Sequence, residues 1–319
     1  MFKLVVLGAG DHSQHNHLPA LKRYVAEHPG EIELAALCDL RRHHAEAVAV
    51  QYGFARVYTG PDEMLRAEQP DGCIAITPIP ATAQVASTII RAGVPLLMEK
   101  PPGATIEEAR ALVELVEKTG TPTMVSMNRR FDPALRAGLD WKGDRPITYL
   151  RGSIVRHNRR EPEFILGTAI HSLDAMRAMA HHSLAGDVLR FEAESHVVDG
   201  TRWYVVRLYF AGGALGVLEV LPAAGSVAES YEAFGAHWRI AVQVGEQDRG
   251  RARCWQDGQL ALSIDPAQGQ PPFVRNGTYA ETAAFVEAIR DGKPPHPTPA
   301  QTLQSVELCH QIAAQFAEE

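Results

Sequence analysis

Short apolar runs alternate with amphipathic stretches along the first part of the chain. Runs at 4–7, 34–38, 73–76, 95–98 and 123–127 have the length and composition of buried strands. Between them, 18–28, 42–52, 83–92 and 106–118 carry apolar residues at helical spacing. Strand and helix in turn predict a parallel sheet covered on both faces. Glycine and proline mark the joints, at Gly30, Gly53, Gly93-Val94-Pro95 and Gly120-Thr121-Pro122. Thr105 with Glu108 is a capping-box pattern that opens the helix at 106.

Beyond Pro122 the texture changes. Residues 147–157, 187–199, 202–210, 214–220, 227–244 and 252–264 are strand-like, with no helical pattern between most of them. Consecutive strands predict an antiparallel sheet. Helical stretches fall at 168–180, 279–290 and 299–316, and 265–272 reads as a surface loop. The expected class is α/β: an N-terminal, Rossmann-type doubly wound parallel sheet, then an α+β domain with a large, mostly antiparallel sheet. The expected domains are 1–122 and 123–319, which suits a chain of 319 residues.

Charge narrows the partners. With 31 basic and 38 acidic residues the net charge is -7, which argues against a nucleic-acid surface. No apolar run has the length a membrane span needs. The apolar start, 1–8, runs into a glycine turn and reads as a first strand rather than a signal peptide. Cys38, Cys73, Cys254 and Cys309 are widely spaced and read as reduced thiols in a cytoplasmic protein.

The turn after the first strand, Gly8-Ala9-Gly10-Asp11-His12-Ser13, fits the dinucleotide pattern with Ser13 at the third small position. Gly8 permits the tight turn, Gly10 lets amide N–H groups approach a pyrophosphate, and a small Ser13 lets helix and strand pack closely. The second strand ends at Asp39, whose carboxylate can accept both ribose hydroxyls and repel a 2′-phosphate. That places NAD ahead of NADP, although Arg41 and Arg42 lie close by and can pair a phosphate. The strand at 95–98 closes on Glu99-Lys100-Pro101-Pro102. Ligands bind at that edge of an open parallel sheet. A lysine there can hold an alcohol or carbonyl oxygen while a hydride moves.

Gly8-Ala9-Gly10, Asp39, Thr77-Pro78, Glu99-Lys100-Pro101, Asn128-Arg129-Arg130-Phe131 and Ile170-His171-Ser172-Leu173-Asp174 follow one another in an order that resembles the glucose–fructose oxidoreductase, inositol dehydrogenase and MocA family. The resemblance covers essentially the whole chain. It implies Lys100 beside the nicotinamide and the reacting oxygen, Glu99, Thr77, Pro78 and Asn128 at the cofactor, and His171 in proton transfer. It also implies Arg130 and Asp174 at the substrate pocket and assembly as a homodimer or homotetramer. The chain departs from the pattern at Gly167, where an aspartate four residues before the histidine is usual, and at Ile79 and Thr82.

His171 is then the expected general base, since an unperturbed imidazole titrates near neutrality. The run Arg156-His157-Asn158-Arg159-Arg160 can bind an acidic substrate group, with Arg156 foremost, or be a solvated basic loop. His12, His15, His17, His43-His44 and His181-His182 show no spacing that supplies a carboxylate or thiolate partner, so no metal is expected. The expected function is hydride transfer between a nicotinamide cofactor and a small-molecule sugar, cyclitol or related hydroxy compound. The alternatives are a non-catalytic dinucleotide sensor and a lyase or glycosidase with tightly bound NAD.

Overall fold

The structure is a computed structural model that describes residues 1–161, 163–181, 186–244, 250–265 and 268–317. His182 and the side chain of His181 lie outside the described residues, as do residues 266–267 of the expected surface loop.

The chain forms two compact units. The first comprises Met1–Ser126 and Thr278–Leu303, the second Met127–Gly277 and Gln304–Glu319. The expected split at 122/123 therefore differs from the structure over 278–303, which rejoin the first unit. The reason is non-local. Ser126 Oγ donates to Glu281 at 2.8 Å, Val125 N–H to the Pro297 carbonyl at 2.8 Å, and Arg290 pairs Glu31 at 2.7 Å. Arg23 stacks on Tyr279, 5.0 Å from its ring centre.

The first unit holds a six-stranded parallel sheet: β1 (Phe2–Leu7), β2 (Ile32–Cys38), β3 (Arg56–Tyr58), β4 (Gly72–Ala75), β5 (Leu96–Met98) and β6 (Thr123–Val125). Their order, β3-β2-β1-β4-β5-β6, is the doubly wound order, which reverses between β1 and β4. Leu4, Val5, Val6, Leu37, Ile74, Leu96 and Leu97 are buried, as strands covered on both faces require.

The helices are α1 (Leu18–Glu27), α2 (Arg42–Tyr52), α3 (Pro61–Glu68), α4 (Ile79–Arg91) and α5 (Ile106–Thr119). The capping box at α5 forms: Glu108 N–H donates to Thr105 Oγ1, and the Glu108 carboxylate accepts Ala104 N–H. Two features exceed the expectation. Helix α3, with Pro61 in its first turn and Asp62 and Glu63 after it, is not among the helices read from the sequence. Helix α4 begins at Ile79 rather than 83, because Pro80 falls in the first turn, where its missing N–H costs nothing.

The second unit holds eight strands: β7 (Tyr149–Val155), β8 (Val188–Val198), β9 (Thr201–Phe210), β10 (Leu215–Leu221), β11 (Ala228–Gly235), β12 (Trp238–Gln243), β13 (Arg251–Gln256) and β14 (Gln259–Ile264). The order is β14-β13-β12-β11-β7-β10-β9-β8, and every neighbouring pair is antiparallel except β7 with β10. The single strands expected over 227–244 and 252–264 are each a hairpin. The second turns at Asp257-Gly258, both at positive φ, the backbone that a two-residue hairpin demands. The helix Pro133–Lys142 was also missed; Asp132 caps it by accepting Ala134 and Leu135 N–H. All four cysteines are buried and unpaired with one another. No helix among the described residues is long and apolar enough to cross a membrane.

Candidate active site

The glycine turn is built as its spacing implies. Gly8 sits at φ +101°, and a Cβ there would stand 1.9 Å from the Ile76 carbonyl oxygen. Gly8 N–H donates to Cys38 O at 2.8 Å and Ile76 N–H to Leu7 O at 2.7 Å, so the turn is tied to both neighbouring strands. Gly10 differs: a Cβ there would meet nothing within 4 Å. It faces the cleft, about 400 Å³, that Gly8, Asp39, Arg41, Thr77 and Pro78 also line. A bare backbone beside an open cleft, at the start of a helix, is the cradle that a pyrophosphate fills. Ser13 is fully buried, as the close packing of helix on strand requires. Asp11 opens the helix with its side chain exposed.

Asp39 lies at the end of β2. Its carboxylate accepts Ala9 N–H at 2.9 Å through one oxygen and Arg41 N–H at 2.9 Å through the other. Burial pushes the Asp39 carboxyl up, but these amides and the Arg41 guanidinium outweigh it and hold it below the usual range. Asp39 is therefore ionised at neutral pH. Arg41 is folded back on Asp39, with its Nε 3.3 Å from the same carboxylate.

At the end of β5, Glu99 is buried and Lys100 half-buried. Glu99 Oε1 accepts from two imidazoles, His12 Nε2 at 3.0 Å and His17 Nε2 at 2.7 Å, and Oε2 accepts Lys100 N–H at 3.1 Å. Burial pushes the Glu99 carboxyl up, and the two imidazoles that face it, His12 and His17, more than reverse this and hold it well below the usual range. The histidines thus have the carboxylate partner that sequence spacing did not offer. In a regular α-helix, residues five apart diverge by about 140°. Ser13–His17 instead winds as a π-turn, whose wider i→i+5 repeat sets His12 and His17 on one face. No local sequence signal marks that turn.

In the second unit, Asn128 and Arg130 lie on a short 3-10 turn, Asn128–Phe131. The Asn128 side-chain oxygen accepts from Arg129 at 3.1 Å. Arg130 makes a fork to Asp174, both bonds 2.7 Å, and Ser305 Oγ donates to the same carboxylate. The two residues expected at a substrate are each other's partners, and Asp174 is buried.

Arg156 already has partners within the second unit: its guanidinium is held by Glu229 at 2.8 Å and by the Val155 carbonyl. Glu229 also takes Arg129 in a fork, and the buried Tyr231 hydroxyl donates to it. Burial pushes Glu229 up, but the two guanidinium groups hold it far below the usual range. This network went unseen in the sequence because Glu229 and Tyr231 lie in an ordinary strand pattern. His171 is half-exposed at the start of the helix Ile170–His181, one turn after Gly167, which donates its N–H to Glu163 O.

One consequence is thermodynamic. Arg130→Met leaves the Asp174 carboxylate buried without its bidentate cation, and removing one partner of such a pair costs about 3–5 kcal/mol. Urea denaturation should show a loss of that size; a change under about 1 kcal/mol would mean that the pair is solvated.

Comparison with known proteins agrees with this construction. Residues 2–127 match the model of an oxidoreductase family with an NAD-binding Rossmann fold. D-apiose dehydrogenase of Paraburkholderia graminis is 34% identical over 136 residues, 43% of this chain and 35% of that protein. D-glucoside 3-dehydrogenase of Escherichia coli is 34% identical over 101 residues, 32% of this chain and 29% of that one. The chain thus aligns with about a third of the length of these two curated relatives. A dehydrogenase structure from Chromobacterium violaceum superposes over 99% of this chain and 96% of its own, with a TM-score of 0.87 at 18% identity, a likeness of fold. With the glycine turn, Asp39 and Glu99-Lys100-Pro101 all inside the matched residues, residues 2–127 are an NAD-binding Rossmann domain of the Gfo/Idh/MocA oxidoreductase family.

Proposed function

We propose that this protein is an NAD-dependent dehydrogenase or reductase acting on a CH–OH group of a sugar, cyclitol or related hydroxy compound. The observation that carries the reading is the pairing of the Gly8–Gly10 cradle with Lys100 on one edge of one parallel sheet. The sugar-directed names of the two curated relatives support the substrate class.

The dinucleotide, when bound, supplies the hydride acceptor or donor. Every other task falls to the chain. The amides at Gly10 and the start of the following helix hold the pyrophosphate. Asp39 accepts the ribose hydroxyls. The Lys100 ammonium donates a hydrogen bond to the substrate oxygen and polarises it. As the free amine it takes the proton that an alcohol must lose. His171 is the second proton acceptor. With Gly167 one turn before it, no carboxylate from that position orients its ring. The Gly167 departure also supports a second reading, a dinucleotide sensor without turnover. NADH formation over a panel of aldoses and polyols separates the two. Turnover supports the dehydrogenase; NAD+ binding with no turnover supports the sensor; no binding overturns both.

Asp39 also underlies the choice of NAD over NADP. In this reading its ionised carboxylate holds the ribose, where a 2′-phosphate would meet a like charge and be repelled. Calorimetry should give NAD+ at least about tenfold tighter than NADP+ for the wild type. Asp39→Ser should weaken NAD+ and erase most of that difference. Equal affinities in the wild type would contradict the assignment.

A further inference from the structure

The His12–Glu99–His17 cluster has two possible uses, and its hydrogen bonds decide between them. Two imidazole nitrogens and a carboxylate oxygen lie within 4.8 Å of one another, which is the composition of a divalent-metal site. Ligation through Nε2 would move the His17 proton to Nδ1. That atom is buried and has no hydrogen-bond partner among the described residues, whereas metal-bound histidines donate from their second nitrogen. Ligation would thus create a buried, unsatisfied N–H. Hydrogen bonding to Glu99 creates none, because the proton stays on Nε2 and Nδ1 keeps only a lone pair. His12 reads the same way: its Nε2 faces Glu99, and its Nδ1 is 3.3 Å from the Asn16 side-chain nitrogen, a donor.

We propose that His12 and His17 act as neutral Nε2–H donors that hold Glu99 as a fixed buried carboxylate, and that His12 is thereby a positioning residue for Lys100. Three donors converge on Glu99: His12 and His17 on one oxygen, Lys100 N–H on the other. The pyrophosphate turn after β1 is in this way clasped to the end of β5, across β4. His17 is buried, while the His12 side chain is 57% exposed, so His12 can be exchanged without opening the core. The inference rests on the proposed hydride chemistry only for its kinetic consequence; the tautomers belong to the protein without cofactor.

The test therefore has two arms. Nitrogen NMR of the apo protein at neutral pH should show both imidazoles neutral and protonated on Nε2. In kinetics, His12→Phe should lower kcat on the order of tenfold, with the substrate KM and the NAD+ affinity within about threefold and Tm nearly unchanged. His12→Gln, which offers an N–H to the same carboxylate, should recover most of the loss. A His17 proton on Nδ1 would overturn the proposal, as would a stoichiometric divalent ion lost in His12→Phe, or a kcat indifferent to that change. Absence of NAD+ binding to the wild type would instead sink the dehydrogenase reading, with the NMR arm still deciding the tautomers.

Discussion

Lys100→Met lowers kcat for alcohol oxidation by a factor on the order of 10³, within the range that a positioned acid–base group supplies, and leaves NAD+ affinity within about threefold of wild type. Methionine keeps most of the apolar stem and removes the ammonium. The half-buried site stays packed while the substrate oxygen loses its donor and its proton acceptor. His171→Ala should cost less. Position 167 is a glycine, so the carboxylate usual at that place, four residues before the histidine, does not fix the imidazole or stabilise its charged form. Steady-state kinetics of the two variants, with NAD+ binding measured separately, checks both statements. Comparable losses, or a larger loss at His171, would transfer the principal proton-handling role to the second unit.

The second large effect separates the two glycines of the turn. Gly8→Ala forces a Cβ against the Ile76 carbonyl, 1.9 Å away, at a φ of +101° that other residues rarely adopt. Neither strand can yield, because Ile76 N–H and Gly8 N–H are both held by neighbouring carbonyls. Backbone strain and overpacking, each costing roughly 1–3 kcal/mol, predict a combined loss of about 3–5 kcal/mol. Gly10→Ala should behave oppositely. Its Cβ meets no protein atom within 4 Å, so stability should stay within about 0.5 kcal/mol of wild type. That methyl would stand in the cleft instead, and NAD+ affinity should fall on the order of 10²-fold. Urea unfolding and calorimetry of the two variants read these effects. A Gly10→Ala protein that binds NAD+ like the wild type would mean that the pyrophosphate lies elsewhere.

Features governed by neighbours in sequence were legible without the structure. Five of the six parallel strands follow from the alternation of apolar runs and helical spacing, the short edge strand β3 being missed, and the α5 cap follows from Thr105 and Glu108. The turn at Gly8 and Gly10 was legible from its spacing: the fold demands glycine at Gly8, and Gly10 leaves bare backbone beside the cleft. Three helix starts were missed or set late where a proline opens the helix: Pro61, Pro80 and Pro133 each lie in a helical first turn. Contacts between distant segments left no local trace. Glu281 reaches Ser126, and 278–303 return to the first unit, although helical spacing at 279–290 shows only that an apolar face exists. The partners of Arg156 and Glu99 were hidden for the same reason. Basic residues in a row suggest an anion, yet Arg156 finds Glu229 across the register of β7 and β11. His12 and His17 look like unrelated helix residues until the π-turn brings them together.

The most direct test of the central claim is a crystal structure of the protein soaked with NAD+. The account predicts dinucleotide density running from Asp39 across the Gly8–Gly10 turn, with the nicotinamide ring beside the Lys100 ammonium. An empty turn, or a ring at the far end of the sheet with Lys100 directed into solvent, would contradict it.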